Sequence, residues 1–156
     1  MTNLFSPSVL DDFESYLKTA NAPYVRHDQH NLFFECKLSG TQIMDICVLE
    51  DFPRGLHSIL VLGRVPVKPE CQLEVLRYFN RVNTVIDIGA VFLSKDSLAS
   101  FRVSIPDDEK LVHDDIELWL THAMESFEKL MGPLDSIINA GETGEEAFEE
   151  FVEEHS

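Results

Sequence analysis

At 156 residues, 44% hydrophobic and 26% charged, the chain is long enough to bury a core without metal or disulfide staples, and too balanced in composition to be disordered or fibrous. Twelve Lys and Arg against 28 Asp and Glu leave a formal charge of −16, which argues against nucleic acid or an anionic membrane as partner, because both demand a basic patch. The excess is uneven: residues 142–156 hold seven Glu and no Lys or Arg, so residues 1–141 carry −9 and read as a single domain, with 142–156 as a separate acidic tail.

The first element expected is an amphipathic helix in "SPSVLDDFESYLKTANAP", with Ser6 as N-cap and Pro7 in the first helical position. Val9, Phe13, Tyr16 and Leu17 recur at i, i+4, i+7 and i+8, Asp11, Asp12 and Glu14 complement the helix dipole, and Pro23 lies beyond the end. "APYVRHD" allows a short strand. "NLFFECKL" then alternates Leu32, Phe34, Cys36 and Leu38 against Phe33, Glu35 and Lys37, and "SGT" turns it into the strand-like "QIMDICVLEDF". "HSILVLGRVPV" reads as a central strand ended by Pro66 and Pro69.

From Pro69, "ECQLEVLRYFNRVN" places Val75, Leu76, Phe79 and Val82 on one helical stripe. Asn80 and Asn83 fall where that helix ends, a place asparagine suits by tolerating the left-handed conformation and by competing for backbone hydrogen bonds. "IGAVFLS" and "ASFRVSI" follow as strands joined by "KDSL". The last long helix, "DDIELWLTHAMESFEKLMGP", repeats Ile116, Leu120, Ala123 or Met124, Phe127 and Leu130 or Met131, and Gly132-Pro133 reads as its stop. Strand runs segregated from helices define an α+β fold, in the order α-β-β-β(-β)-α-β-β-α, with a largely antiparallel sheet.

No reaction is written in this sequence. There is no GxSxG elbow and no phosphate-cradling glycine loop, and the enzyme reading lacks a convergent nucleophile, base or metal set. His27 and His30 flank Asp28 in "HDQH" and read as a solvated turn, His113 as a helix start, and His57 and His122 stand apart. Cys36, Cys47 and Cys71 are odd in number, lack CxxC spacing and read as reduced thiols; Cys71 lies near a helix start, but Glu70 and Glu74 oppose its thiolate. No cofactor is expected. Without a basic n-region and apolar run at the N-terminus, and with no 18-residue apolar stretch, a soluble cytoplasmic protein is expected.

The passage "LRYFNRVNTVIDIGAVFLSKDSLASFRVSIP" and the apolar, acid-flanked helix after it resemble the bacterial YbjN-like family over roughly residues 8–135. The marks are an Asn near the helix end, Gly89 followed by Phe92 in the next strand, and alternation after the turn. The resemblance implies a fold like that of the type III secretion chaperones, which are small, acidic, dimeric and bind a partner polypeptide. It also implies the family's general label of sensory transduction regulator, and it carries no active-site residue.

The expectation is therefore a non-enzymatic protein-binding module, chaperone-like or regulatory, acting on another polypeptide and forming a homodimer. The alternative is a small-ligand sensor with a pocket between helix and sheet. In the tail, "GETGEEAFEEFVEEHS", Phe148, Phe151 and Val152 form one apolar stripe and are the candidate docking residues, for a partner or for the chain itself. Like-charge pairs at i, i+4 (Glu145 with Glu149, Glu146 with Glu150, Glu149 with Glu153, Glu150 with Glu154) make the isolated segment a poor helix. A purely solubilising tail is the bland alternative. Trp119, the only tryptophan, reads as core.

Overall fold

The computed structural model describes residues 9–37, 43–51, 56–105 and 112–155. Ser6, Pro7, Leu38 and the "SGT" turn lie outside them. The first helix, α1 (Val9–Thr19), buries Val9, Phe13 and Leu17 as the periodicity predicts. It ends before Pro23 with Asn21 in the left-handed region, at φ 54°, which asparagine accepts more readily than most residues.

Among the described residues six strands follow: β1 (Val25–Arg26), β2 (Asn31–Lys37), β3 (Ile43–Asp51), β4 (Leu56–Leu62), β5 (Ala90–Leu93) and β6 (Ala99–Ile105). They form one sheet in the order β1-β2-β3-β4-β6-β5, every neighbouring pair antiparallel. The fold is thus the expected α+β arrangement, with the optional short strand present. Between β4 and β5 lies α2 (Gln72–Val82), entered by a 3-10 turn at Pro69–Cys71; after β6 come α3 (His113–Ala140) and α4 (Gly144–His155).

Register sorts the strand residues onto two faces. Leu32, Val48, Ile59 and Val103 stand opposite one another in one row, and Phe34, Ile46, Val61, Phe101 and Val91 in the next. All nine are buried and join the apolar sides of the four helices in one core. Since side chains alternate along a strand, the other face carries Phe33, Cys47, Leu60 and Arg102 in one row and Asp45, Leu62, Ser100 and Phe92 in another.

Two sequence expectations are corrected. Gly132-Pro133 does not stop the third helix: α3 runs on to Ala140, 28 residues or about 42 Å at 1.5 Å per residue. Proline there removes one helical donor, yet Pro133, Leu134 and Ile137 are all buried, and their packing outweighs that loss. The stop is Gly141, left-handed at φ 70°, with the N–H groups of Gly141 and Glu142 both donating to the Ser136 carbonyl. In α2 the buried stripe is Val75, Tyr78, Phe79 and Val82, while Leu76 is 43% exposed. Tyr78 takes the inner place because α3 and α4 both pack on its side, and its hydroxyl donates to the Leu130 carbonyl at 3.2 Å.

Candidate interaction surfaces

The asparagine pair is resolved by one residue. Asn83 donates from Nδ2 to the Val91 carbonyl at 2.9 Å and accepts from the Val91 N–H at 2.8 Å, so its amide pairs with β5 as another strand would. Its backbone is right-handed, so it is the side chain that ends the helix, and the left-handed tolerance is unused. Asn80 is exposed on α2. Gly89 in the same connection is held at φ 93°, and a Cβ there would fall on the Phe101 ring and 2.8 Å from the Arg102 carbonyl. Only glycine fits that approach.

Asp28 accepts from the His30 N–H at 2.6 Å and from Asn31 Nδ2, closing the turn, and His30 Nδ1 lies 3.3 Å from Glu50. His113 sets its ring edge on Tyr16, joining α3 to α1. Cys71 stands at the head of α2, half-buried, with Glu74 in the first helical turn. Burial pushes the Cys47 thiol up to about 11, and that of Cys36 upward, away from thiolate chemistry at neutral pH. Among the described residues no group of three His, Cys, Asp or Glu is placed to hold a metal ion, and no helix is long and apolar enough to cross a membrane.

The acidic segment is folded against the rest of the chain. Phe148 and Phe151, each 8% exposed, and Ala147 enter the common core, while Val152 stays 40% exposed. Arg81 stacks 4.6 Å above the Phe148 ring and pairs with Glu145 at 2.9 Å, and Phe151 meets the Tyr78 ring edge-on. Four like-charge pairs oppose this helix by about 1–2 kcal/mol in total. Burying two phenylalanines returns roughly 3–6 kcal/mol, so packing wins.

Its start is built with care. The Thr143 hydroxyl accepts from the Glu146 N–H while the Glu146 carboxylate accepts from the Thr143 N–H, a reciprocal cap. Gly144 donates to Glu74 of α2 at 2.7 Å, and a Cβ on it would lie 2.5 Å from the Glu74 carbonyl and 2.7 Å from Arg77 Cβ. This cap was readable as T-x-x-E in the sequence, and periodicity alone missed it.

The opposite side of the molecule is different. Among the described residues, the helices contribute their apolar sides to the other face of the sheet and none crosses this bare one, within which Cys47, Ser58 and Ser100 are nonetheless buried. Phe33 is 41% exposed there, and Leu49, Leu60, Leu62 and Phe92 are half-buried; Ile43, 42% exposed at the end of β3, borders Met131, Leu134 and Ile138 of α3. Arg64 holds Glu35 at 2.7 Å and Asp45 at 2.8 Å beside them. Neighbouring strands are about 4.8 Å apart, so from β2 to β5 this face is roughly 20 Å wide.

Comparison with known proteins bears on the fold. No family model and no curated protein matches the sequence. Among solved structures, the chain is similar to YbjN from E. coli, a protein provisionally described as a transcription regulator, with a TM-score of 0.55 and 13% identity over 77% of this chain and 86% of that one. It is also similar to a chain of the HopA1–SchA chaperone–effector complex, with a TM-score of 0.49 and 17% identity over 75% of this chain and 88% of that one. At such identity the likeness to YbjN is one of fold, and it agrees with the fold implied by the sequence resemblance.

Proposed function

We propose that this chain is a non-enzymatic protein-binding module, chaperone-like or regulatory, that holds another polypeptide on the bare face of its sheet. One observation carries the reading: five large apolar residues, Phe33, Leu49, Leu60, Leu62 and Phe92, share a face on which no described helix lies. Exposed apolar area of that kind, rimmed by charge, marks a protein interface. The net charge of −16 favours a partner segment carrying Lys or Arg beside its apolar side chains. YbjN's description as a regulator supports the reading by analogy of fold only.

The same proposal includes a homodimer and a cytoplasmic location, the latter supported by three free cysteines. Light scattering separates a second copy from a foreign partner: a mass fixed at one chain, 17.8 kDa, across micromolar concentrations would remove the dimer. For the partner, the full chain and a Phe33→Ser/Leu60→Ser variant are compared in capture from native lysate. The variant should melt within a few degrees of the parent and lose the polypeptide the parent retains. Equal retention by both would sink the assignment to this face.

A further inference from the structure

A cleft of about 520 Å³ opens between the turn at Val85–Ile88, one side of α3, and α4. That is the size of a small-molecule site. Much of its lining is apolar, from Val85, Ile88, Phe101, Leu130, Phe151 and Val152. The polar part comes from His122, Ser126 and Lys129, which recur at i, i+4 and i+7 and so project from one side of α3, joined by His155 of α4.

Two features point to a ligand. His122 sets its ring against Phe101, with centroids 6.3 Å apart, and its Nε2 is buried with no hydrogen-bond partner in the protein. Buried polar atoms in that condition are few in native structures. Lys129 forms no ion pair among the described residues, although Glu125, Glu128 and Glu154 line a shallower hollow that it and His155 also border. Asp87 stands at the rim, and Glu154 is 3.8 Å from His155. These carboxylates keep the local potential too low for a polyanion, while one ammonium and one imidazole N–H match a single carboxylate.

We infer that the cleft binds a small amphipathic monocarboxylate, its carboxylate on Lys129 Nζ and His122 Nε2–H and its hydrocarbon against Phe101, Leu130 and Phe151. Because Phe151 and Val152 belong to α4, an occupied cleft ties the acidic helix to α3. Occupancy therefore protects α4 from opening, and opening of α4 releases the ligand. The cleft lies on the helical side of the sheet, so this inference stands or falls separately from polypeptide binding on the bare face.

The test uses the full chain, sodium octanoate, and 1-octanol as a neutral ligand of equal chain length. Octanoate should raise the melting temperature and slow amide exchange in residues 144–155, with octanol binding at least about tenfold more weakly, the worth of one charge-assisted hydrogen bond. Lys129→Met, at an exposed position, should weaken octanoate about tenfold and leave octanol unchanged. His122→Phe, which keeps the ring and removes the nitrogens, should weaken it by a similar factor. No octanoate binding up to about 10 mM, far above the useful range for a site of this size, would overturn the inference. So would equal binding of octanoate and octanol, or octanoate affinity unchanged in Lys129→Met.

Discussion

The α4 seam and the bare sheet face both present phenylalanines among acidic residues, in "AFEEFVEE" and "LFFEC", and the structure treats them in opposite ways. In the seam, Phe148 and Phe151 are 8% exposed; on the sheet, Phe34 is 7% exposed and its neighbour Phe33 is 41% exposed. The sequence contexts do not differ in charge enough to explain this. What differs is the surface opposite: α2 offers α4 a backbone it can approach at Gly144, an aromatic ring at Tyr78 and a cation at Arg81, whereas Phe33 faces outward from a sheet that keeps its helices on the other side. An apolar stripe among glutamates is therefore not a solvated tail or an interface by composition. The groups placed against it decide.

The sharpest way to break this contrast is to remove the ring that closes the seam. Phe151→Ala is expected to cost about 3 kcal/mol, a fall of roughly 6–12 °C in the melting temperature of a chain this size. A fall below about 2 °C on that scale would mean that α4 contributes little to the fold. Gly144→Ala attacks the approach instead: the new methyl must displace the α2 backbone at Glu74 and Tyr78, at about 1–3 kcal/mol. Amide exchange should then quicken in residues 144–155 well before it does in β4, one of the two central strands of the sheet. Uniform quickening would show that α4 and the sheet open as one unit.

Much of the fold was legible because its signals are periodic. Alternation in β2 and β6 and the i, i+4, i+7 pattern of α1 depend only on local geometry, and the register rows confirm which face each residue takes. What stayed hidden depended on distant partners. Gly132-Pro133 fails as a stop because Leu134 and Ile137 have core to enter, and Leu76 loses its place to Tyr78 because α4 packs there. Of the three candidate docking residues, Phe148 and Phe151 lie in the core and Val152 on the rim of a cleft whose His122 and Lys129 no motif marked. The tail's helix was half visible: like-charge repulsion counted against it, while the Thr143–Glu146 cap, written plainly in the sequence, counted for it. Thr143→Ala weighs that signal and is expected to cost about 1 kcal/mol, most of it recovered by Thr143→Asp. An unchanged melting temperature would leave packing as the whole reason the segment folds.

The smallest expected effect is in pH, and here two glutamates at the seam pull in opposite directions. The Gly144 N–H, with Arg77 adding to it, holds the Glu74 carboxyl below its ordinary value of 4.5. Burial, then the charges of Glu150 and Glu146, push Glu142 above the same value. For Glu74 the folded state favours the carboxylate, so its contribution is complete above 4.5 and is lost as pH falls through the lowered folded value. For Glu142 the folded state favours the acid, so ionisation at neutral pH works against docking, and that opposition fades as pH falls through the raised folded value. Attachment of α4 should therefore strengthen slightly on the way down from neutral pH and weaken below about 4.5, the ordinary glutamate value. General relief of the −16 charge on acidification affects the whole chain, so the informative quantity is the difference between variants. Glu142→Gln should be more stable than the parent at pH 7 and lose that advantage toward pH 4, near the unperturbed glutamate range. Glu74→Gln should be less stable at pH 7 and converge with the parent as pH falls through the lowered folded value. Parallel melting curves for Glu142→Gln and the parent across that whole range would remove Glu142 from the account and leave the seam governed by Glu74 alone.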